Sequence, residues 1–552
     1  MPCVRKRTLS YLFFVCQLFA VISAPAQAQT GVNIEFGVNV ADAGAIRASE
    51  VLRTNVVAYA HGYIPRSVWD KFFAEQRVGD VLLDTADISR DSTDFQDLKR
   101  RMRELAPLVK RIVAAGGRVQ LVFEHGIPKW LSSDPHNNGD LFQGAGGGEK
   151  IWQSVPPASY STWEDVAYEF VRYFNIELDT RGQVYYVIGS EPDNYWVGSE
   201  DQWHQYYEYF ARGALRADPK VKIGCCNTVR IDSKNFTKYN PQKQGNGVVF
   251  EGMQARGNKG IVYNWLEFSA SKKLPVDIVA WHDYPAPSPV PGKSANWVAY
   301  EKQLKAWMSE FGYSDVEFIL NDFPEWRAVP QENDSEFQAA YVVSSLISMI
   351  DYTNVKALYL GMRDLAAFTN KQESRKNASF GGGNGLFTSV GLAKPVYNAY
   401  ALMSKVEGQL IPVETGDEFV RALASVDGDK VYVLLTNFIP SKRIVLHNTY
   451  SPSAEMPEEI DRAALGRKIK ETGKTREQLI SSFLDGSLDI KELDLPPSLE
   501  RRAEATKAVI LAGRKRLGAP ASVKIRLAGV KLDKGKGNPR YEEYVIDNRH
   551  AN

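Results

Sequence analysis

The chain has 552 residues, 44% of them hydrophobic and 24% charged, and its 67 basic residues nearly balance its 66 acidic ones. A chain of this length holds two or three domains with large cores, and a charge this close to zero gives no basis for binding nucleic acid or an acidic membrane. The aromatic share of 11% serves cores and also suits clefts in which sugars stack.

The N-terminus carries Arg5, Lys6 and Arg7, then an apolar run from Tyr11 to Ala24, then small residues at Ala26-Gln27-Ala28. This order is the pattern of a cleaved secretory signal over residues 1–28, which predicts a secreted or periplasmic protein. The run is too short to span a bilayer and no longer one follows, so no membrane span is expected. Cys3 and Cys16 leave with the signal. The remaining pair, Cys225-Cys226, is read as two reduced thiols beside a strand, because alternation points neighbouring side chains to opposite faces and a bridge between them closes a strained ring.

From Gly31 to Val406, short apolar strands alternate with longer amphipathic stretches. The candidate strands are Ile34–Val38, Val81–Thr85, Arg118–Phe123, Val184–Gly189, Lys222–Cys225, Val276–Trp281, Val316–Leu320 and Val355–Leu360, with Val56–Ala60 competing for one of the first two places. Helical spacing of three and four marks Phe95–Ala114, Trp163–Asn175, Gln202–Ala217, Trp297–Phe311 and Glu336–Tyr352. Eight strands in this alternation predict an α/β protein whose residues 29–406 form a (β/α)8 TIM barrel. Beyond it, Phe419–Asp427 and Lys430–Phe438 flank the turn Asp427-Gly428-Asp429, Ile444–Leu446 continues them, and strand patterns return at Val523–Leu527 and Tyr541–Ile546. Residues 407–552 are therefore expected to form a C-terminal β-sandwich interrupted by a charged helical insertion over 456–517. The glycine runs 144–148 and 381–383 lack the spacing of a phosphate-binding loop.

In such a barrel the reactive groups sit where strands end, on the C-terminal face. The strand from Val184 ends at Gly189-Ser190-Glu191-Pro192-Asp193-Asn194-Tyr195-Trp196. Pro192 is expected to keep a helix from starting at once, and a carboxyl shielded by Tyr195 and Trp196 gains the raised proton affinity of a general acid. His282, Asp283, Tyr284 and Pro285 follow another buried strand; an imidazole and a phenol there can bond a sugar hydroxyl or position a carboxylate. A third strand ends in Asn321-Asp322-Phe323-Pro324-Glu325-Trp326, which offers two carboxylates. Glu124, His125, Arg363 and Asp364 are expected to shape or charge a cleft rather than transfer protons. The seven histidines show no metal-ligand spacing, so neither a metal nor a cofactor is expected, and no Gly-x-Ser-x-Gly elbow marks a serine nucleophile.

Glu191-Pro192 after a strand resembles the acid/base motif of clan A retaining glycosidases, and the wider set resembles glycoside hydrolase family 39, which contains β-xylosidases and α-L-iduronidases. The matching pieces are Phe123–Trp130, Ser190–Asn194, Trp265–Phe268 with Pro275–Tyr284, the stretch Gly385 to Tyr400, and Tyr544–Asn552. The resemblance implies a retaining double displacement with Glu191 as acid/base and a carbohydrate substrate; Ser190, His282, Tyr284, Glu124, Trp196 and Trp326 are the residues expected to contact it. Two positions depart from the family. Ser190 replaces the usual Asn, whose amide meets the sugar 2-hydroxyl. At the nucleophile's place Asp322 stands for Glu and reaches about 1.5 Å less; Glu325 is the other candidate, if Pro324 turns the chain back. Both departures keep a second reading open, a catalytically weak protein that binds an exported polysaccharide or assists its assembly. The helical insertion is a third element, a solvated surface or a dock for a protein partner.

Overall fold

The computed structural model describes residues 4–8 and 32–547 apart from 60, 87, 90–91, 124–126, 134–141, 144–149, 152–154, 197, 230, 237–252, 283–295, 324–329, 365–379, 440–465, 494–496, 518, 520 and 531–539. Eight parallel strands close into a barrel: β1 (Thr54–Ala58), β2 (Val78–Asp84), β3 (Arg118–Phe123), β4 (Val184–Ile188), β5 (Ile223–Thr228), β6 (Ile278–His282), β7 (Glu317–Phe323) and β8 (Lys356–Tyr359). Each is followed by a helix: α1 (Arg66–Glu75), α2 (Phe95–Ala114), α3 (Tyr160–Val171), α4 (Glu200–Ala217), α5 (Ile261–Lys272), α6 (Asn296–Phe311), α7 (Glu336–Tyr352) and α8 (Pro395–Met403). This is the expected (β/α)8 barrel.

The strands are buried on both faces, which is why they read as continuous apolar runs rather than alternating ones. Inward-facing Val57, Leu82, Val122, Tyr185, Val187, Ile278, Ala280, Ile319, Leu358 and Leu360 fill the cylinder. Outward-facing residues pack under the helices, with a dense aromatic group between β3, α3 and α4 in which Phe123 lies 4.8–5.6 Å from Trp163, Phe170 and Phe210. Helix starts are capped as their sequences dictate: Asp94 accepts from the Gln96 and Asp97 N–H groups at 2.8 and 2.9 Å, and Ser199 with Gln202 forms a reciprocal capping box.

One expected barrel strand lies elsewhere. Val32–Asn39, which contains Ile34–Val38, pairs in parallel with Ala521–Ala528, and Thr54–Ala58 takes the first place in the barrel. Only Ile34, Phe36 and Val38 of that outer strand are buried. They share a small core with Ile411, Val420, Ala422 and Ala424 of a separate sheet in which Gln409–Ile411, Val420–Asp427 and Lys430–Asn437 are antiparallel. The last two strands meet at the Gly428-Asp429 turn, Asp427 opposite Lys430, as the sequence suggests. Between the sheets, the charged region forms helices at Gly466–Thr472, Arg476–Asp485 and Pro497–Arg516; Ile444–Leu446 and residues 456–465 lie outside the described residues. Val4–Thr8 pairs with Arg540–Tyr544. Among the described residues no helix is long and apolar enough to cross a membrane.

Cys225 and Cys226 correct a second expectation: they are joined in a disulfide. Their Cα atoms lie only 3.1 Å apart, so side chains that alternation would have sent to opposite faces meet.

Candidate active site

At the end of β4, Gly189 adopts φ +89°, and a Cβ there would meet the Trp203 indole at 2.0 Å, so backbone and ring approach as only glycine allows. Ser190 and Glu191 follow, both buried. Pro192 does not delay the next helix, as expected from the sequence, but opens a helical turn, Pro192–Tyr195, because the first position of a helix needs no N–H. Glu191 stands before that turn in the left-handed region, φ +41°, and its N–H donates to the Asn227 carbonyl at 2.7 Å.

The Glu191 carboxyl meets the end of β6. His282 Nδ1 lies 2.8 Å from Glu191 Oε1 and 3.5 Å from Asp322 Oδ2, with all three side chains at least nine-tenths buried. Of the two roles open to His282 in the sequence, the contact observed is the one to a carboxylate. Touching the same nitrogen, the two carboxyl oxygens can be no further apart than about 6.3 Å, the two contacts laid end to end. Asp322 is also held by the Tyr59 hydroxyl, which sits 2.9 and 3.0 Å from its two oxygens.

The backbone around these groups is unusual in the same way at three strand ends. Of six non-glycine residues with positive φ among the described residues, three are Glu191 after β4, Asn227 in β5 and Asp322 in β7. Such conformations cost of order 1–3 kcal/mol each and gather where a side chain must be aimed. Asp193, one residue past Pro192, accepts the Val229 N–H at 3.0 Å and the Ser233 hydroxyl. Burial, and then the nearby Glu191 charge, push its carboxyl up to about 7.

The remaining expected site residues fall in three groups. Glu124, Tyr284, Glu325 and Trp326 lie outside the described residues, as does most of the long loops 134–156 and 285–294. Trp196, expected to meet substrate, is fully buried instead, because it ends the turn Pro192–Tyr195 against helix α4: its ring packs 5.1 Å from Trp203 and 5.5 Å from Tyr206 and its Nε1–H donates to the Ser199 carbonyl. Arg363 and Asp364 hold the rim together. Arg363 donates to the Ser389 and Tyr63 carbonyls, and Asp364 accepts from the Gly385 N–H and from the buried Lys394 ammonium. Sequence reasoning missed Tyr59, Asp193 and Asn227. The competing strand at Val56–Ala60 was the available signal for Tyr59; the other two carry none. Among the described residues no group of three or more His, Cys, Asp or Glu side chains is arranged to hold a metal.

The chain was compared with known proteins. The sequence model of glycosyl hydrolases family 39 matches residues 152–434, just over half the chain. A β-xylosidase of Caldicellulosiruptor saccharolyticus is 24% identical over 282 residues, covering 48% of this chain and 50% of that protein. A β-xylosidase of Geobacillus stearothermophilus is 22% identical over 287 residues, covering 47% and 48%. The chain thus spans about half the length of the curated relatives it matches. Among solved structures, the GH39 enzyme from Xanthomonas axonopodis pv. citri superposes with a TM-score of 0.55 at 16% identity, covering 76% of this chain and 78% of that one. A monomeric β-xylosidase from Caulobacter crescentus gives 0.53 at 14% identity, covering 93% and 98%. At these identities the structures share the fold.

Proposed function

The chain belongs to glycosyl hydrolases family 39, and on that premise we propose that it is an exported glycosidase cleaving O-glycosidic bonds of an oligo- or polysaccharide with retention of configuration, Glu191 serving as acid/base and Asp322 as nucleophile. In the first step Glu191 gives its proton to the glycosidic oxygen while an Asp322 oxygen bonds to the anomeric carbon, and the leaving alcohol departs. In the second, the Glu191 carboxylate takes a proton from water, the water oxygen bonds to the anomeric carbon, and Asp322 is released. His282, bonded to Glu191 and lying beside Asp322, orients the acid/base; Tyr59 orients Asp322 for attack.

One observation carries the stereochemical part. Inverting enzymes hold their carboxyls about 6.5–9.5 Å apart to admit water, and retaining ones about 5–5.5 Å. The bound of about 6.3 Å holds for one oxygen pair, Glu191 Oε1 and Asp322 Oδ2, and it supports the closer, retaining arrangement of the two groups. Ser190 takes the place of the family's sugar-contacting amide, so its short hydroxyl suits a substrate with different demands at that hydroxyl. Because two relatives are named β-xylosidases, aryl β-xylosides are the first substrates to try.

Glu191→Gln tests the reading. Hydrolysis of an aryl β-glycoside panel and of bacterial exopolysaccharides should fall at least about 100-fold, and the first sugar released by the wild type should keep its anomeric configuration by NMR. Hydrolysis undiminished in the variant, or an inverted product, rules the assignment out. The departures at Ser190 and Asp322 favour one alternative, a polysaccharide-binding or assembly protein; binding by both forms with hydrolysis by neither would select it. Export is tested by the N-terminal sequence of the mature protein, expected to begin close after residue 28.

A further inference from the structure

Asn227 is the residue at which two irregularities of the barrel meet. Between β5 and β6, Cys226 stands opposite Ala280 and Thr228 opposite Trp281, so Asn227 is an extra residue in β5. Between β7 and β8, Leu320 stands opposite Ala357 and Phe323 opposite Tyr359, so the Asn321-Asp322 segment also carries one residue too many. Bulges of this kind turn a strand end and re-aim its side chains. The two are joined: the Asn321 amide nitrogen donates to Asn227 Oδ1 at 2.7 Å, across the intervening strand β6. The carbonyl of the same Asn227 accepts the Glu191 N–H at 2.7 Å. Asn227 and Asn321 are 1% and 0% exposed, so no solvent competes for either bond.

We propose that Asn227 is a positioning residue that sets the separation of Glu191 and Asp322, its main chain fixing the turn that carries the first and its side chain fixing the bulge that carries the second. The chemical consequence rests on the function proposed above; the geometry does not. With φ at +48°, Asn227 occupies a conformation open to asparagine and glycine and poor for most other residues. Asn227→Gly therefore keeps the backbone and the bond to Glu191 and removes only the link to Asn321. Asn321→Ala removes the same link from the other end.

Both variants should still fold cooperatively, melting a few degrees below the wild type because each leaves a buried amide without its partner, and both should lose kcat by roughly 10- to 100-fold, the scale of a misplacement of about 1 Å, with KM changed less than about two-fold. The double variant should lose no more than the worse single one, because a single bond is deleted in all three. Wild-type kcat in both single variants overturns the proposal, as does a fall in KM-limited binding alone. A second readout is independent of turnover: in crystals of the wild type and of Asn227→Gly, the distance between the Glu191 and Asp322 carboxyls should differ by more than about 0.5 Å, the tolerance of a working site. An unchanged distance refutes the role of Asn227. If the wild type cleaves no glycoside, the proposed function fails by itself and the crystallographic comparison still decides the inference.

Discussion

The end of the barrel opposite the site makes a quantitative test of what holds the cylinder closed. Arg118, the first residue of β3, places its guanidinium between two carboxylates. It donates to both oxygens of Asp80 at 3.0 and 2.6 Å and to both of Glu317 at 2.9 and 2.7 Å, so one side chain ties β2, β3 and β7. Lys356 and Lys222 add one bond each at 3.0 Å. Burial alone would raise the Glu317 carboxyl, but bonding to Arg118 and the charges of Arg118 and Lys356 overrule it and hold the group at about 2; Asp80 is lowered for the same reasons. A drop from 4.5 to about 2 is about 3 kcal/mol in favour of the ionised form, reduced to about 2 because Glu317 is 28% exposed. Arg118→Met removes most of this and leaves the buried Asp80 with only the Lys356 ammonium and the Tyr185 hydroxyl as partners. Breaking one partner out of a buried pair costs about 3–5 kcal/mol, and the two lysines that remain keep the loss near the lower end, about 3 kcal/mol. Urea unfolding followed by tryptophan fluorescence should show that deficit at pH 7. Both carboxyls titrate lower in the folded state than in the unfolded one, so their contribution is fully present above about 4.5 and is lost as pH falls toward 2. The gap between wild type and variant should therefore close over that window. A deficit under about 1 kcal/mol at pH 7, or one that is undiminished at pH 3, would refute the account of Arg118 as the clasp of the barrel.

Three further outcomes follow from named contacts. Tyr59→Phe deletes the hydroxyl that meets both oxygens of Asp322; a bond to a charged group is worth about 1.5–3 kcal/mol, so kcat/KM on an aryl glycoside should fall roughly 10- to 100-fold with little change in melting temperature. Lys394→Met leaves Asp334 and Asp364 facing each other without the buried ammonium that now stands 2.5 and 2.7 Å from them, which should lower stability by about 3–5 kcal/mol in the same urea assay. Asp94→Ala removes the cap from α2 and should cost about 1 kcal/mol while leaving hydrolysis at the wild-type rate.

The barrel was legible because its strands carry the mark of burial on both faces. Seven of the eight expected strands overlap strands of the barrel, the eighth overlaps one outside it, and Arg118–Phe123, Phe95–Ala114 and Glu336–Tyr352 keep their expected bounds. The exception was misread against its own pattern. In Val32–Asn39 alternate residues are buried, which is the periodicity of a strand with one wet face and not of a barrel strand, whereas Thr54–Ala58 is short and apolar as β1 should be. Glu191, His282 and Asp322 could be picked out as polar residues ending apolar runs. Tyr59 could not be joined to Asp322 in this way, since 263 positions separate them and only closure of the barrel brings β1 beside β8 and near β7. Asn227 and the Cys225-Cys226 bridge escaped for a local reason: regular alternation along a strand foretells neither a bulge nor a bond between neighbours.

The aspartate in the nucleophile's place is the point on which the proposed chemistry and the backbone must agree. A side chain one carbon shorter than glutamate falls short by about 1.5 Å if its strand runs straight. The strand does not run straight. Asp322 adopts φ +57° inside a segment that spends three residues where β8 spends two, and both its oxygens are already held by Tyr59 while one lies 3.5 Å from the ring nitrogen that touches Glu191. A bulge with a left-handed residue moves a side chain by displacing its Cα, which a longer side chain on a regular strand would not need. On the proposed assignment the shorter acid and the irregular strand are two halves of one solution, and lengthening the acid alone should disturb it. In Asp322→Glu the added methylene has to fit into a site where the side chain is 5% exposed and its carboxyl already has partners at hydrogen-bond distance. Overpacking of this kind costs about 1–3 kcal/mol, so the change toward the family's usual residue should lower both melting temperature and kcat. A variant that gained activity would show that the bulge does not compensate for the missing carbon.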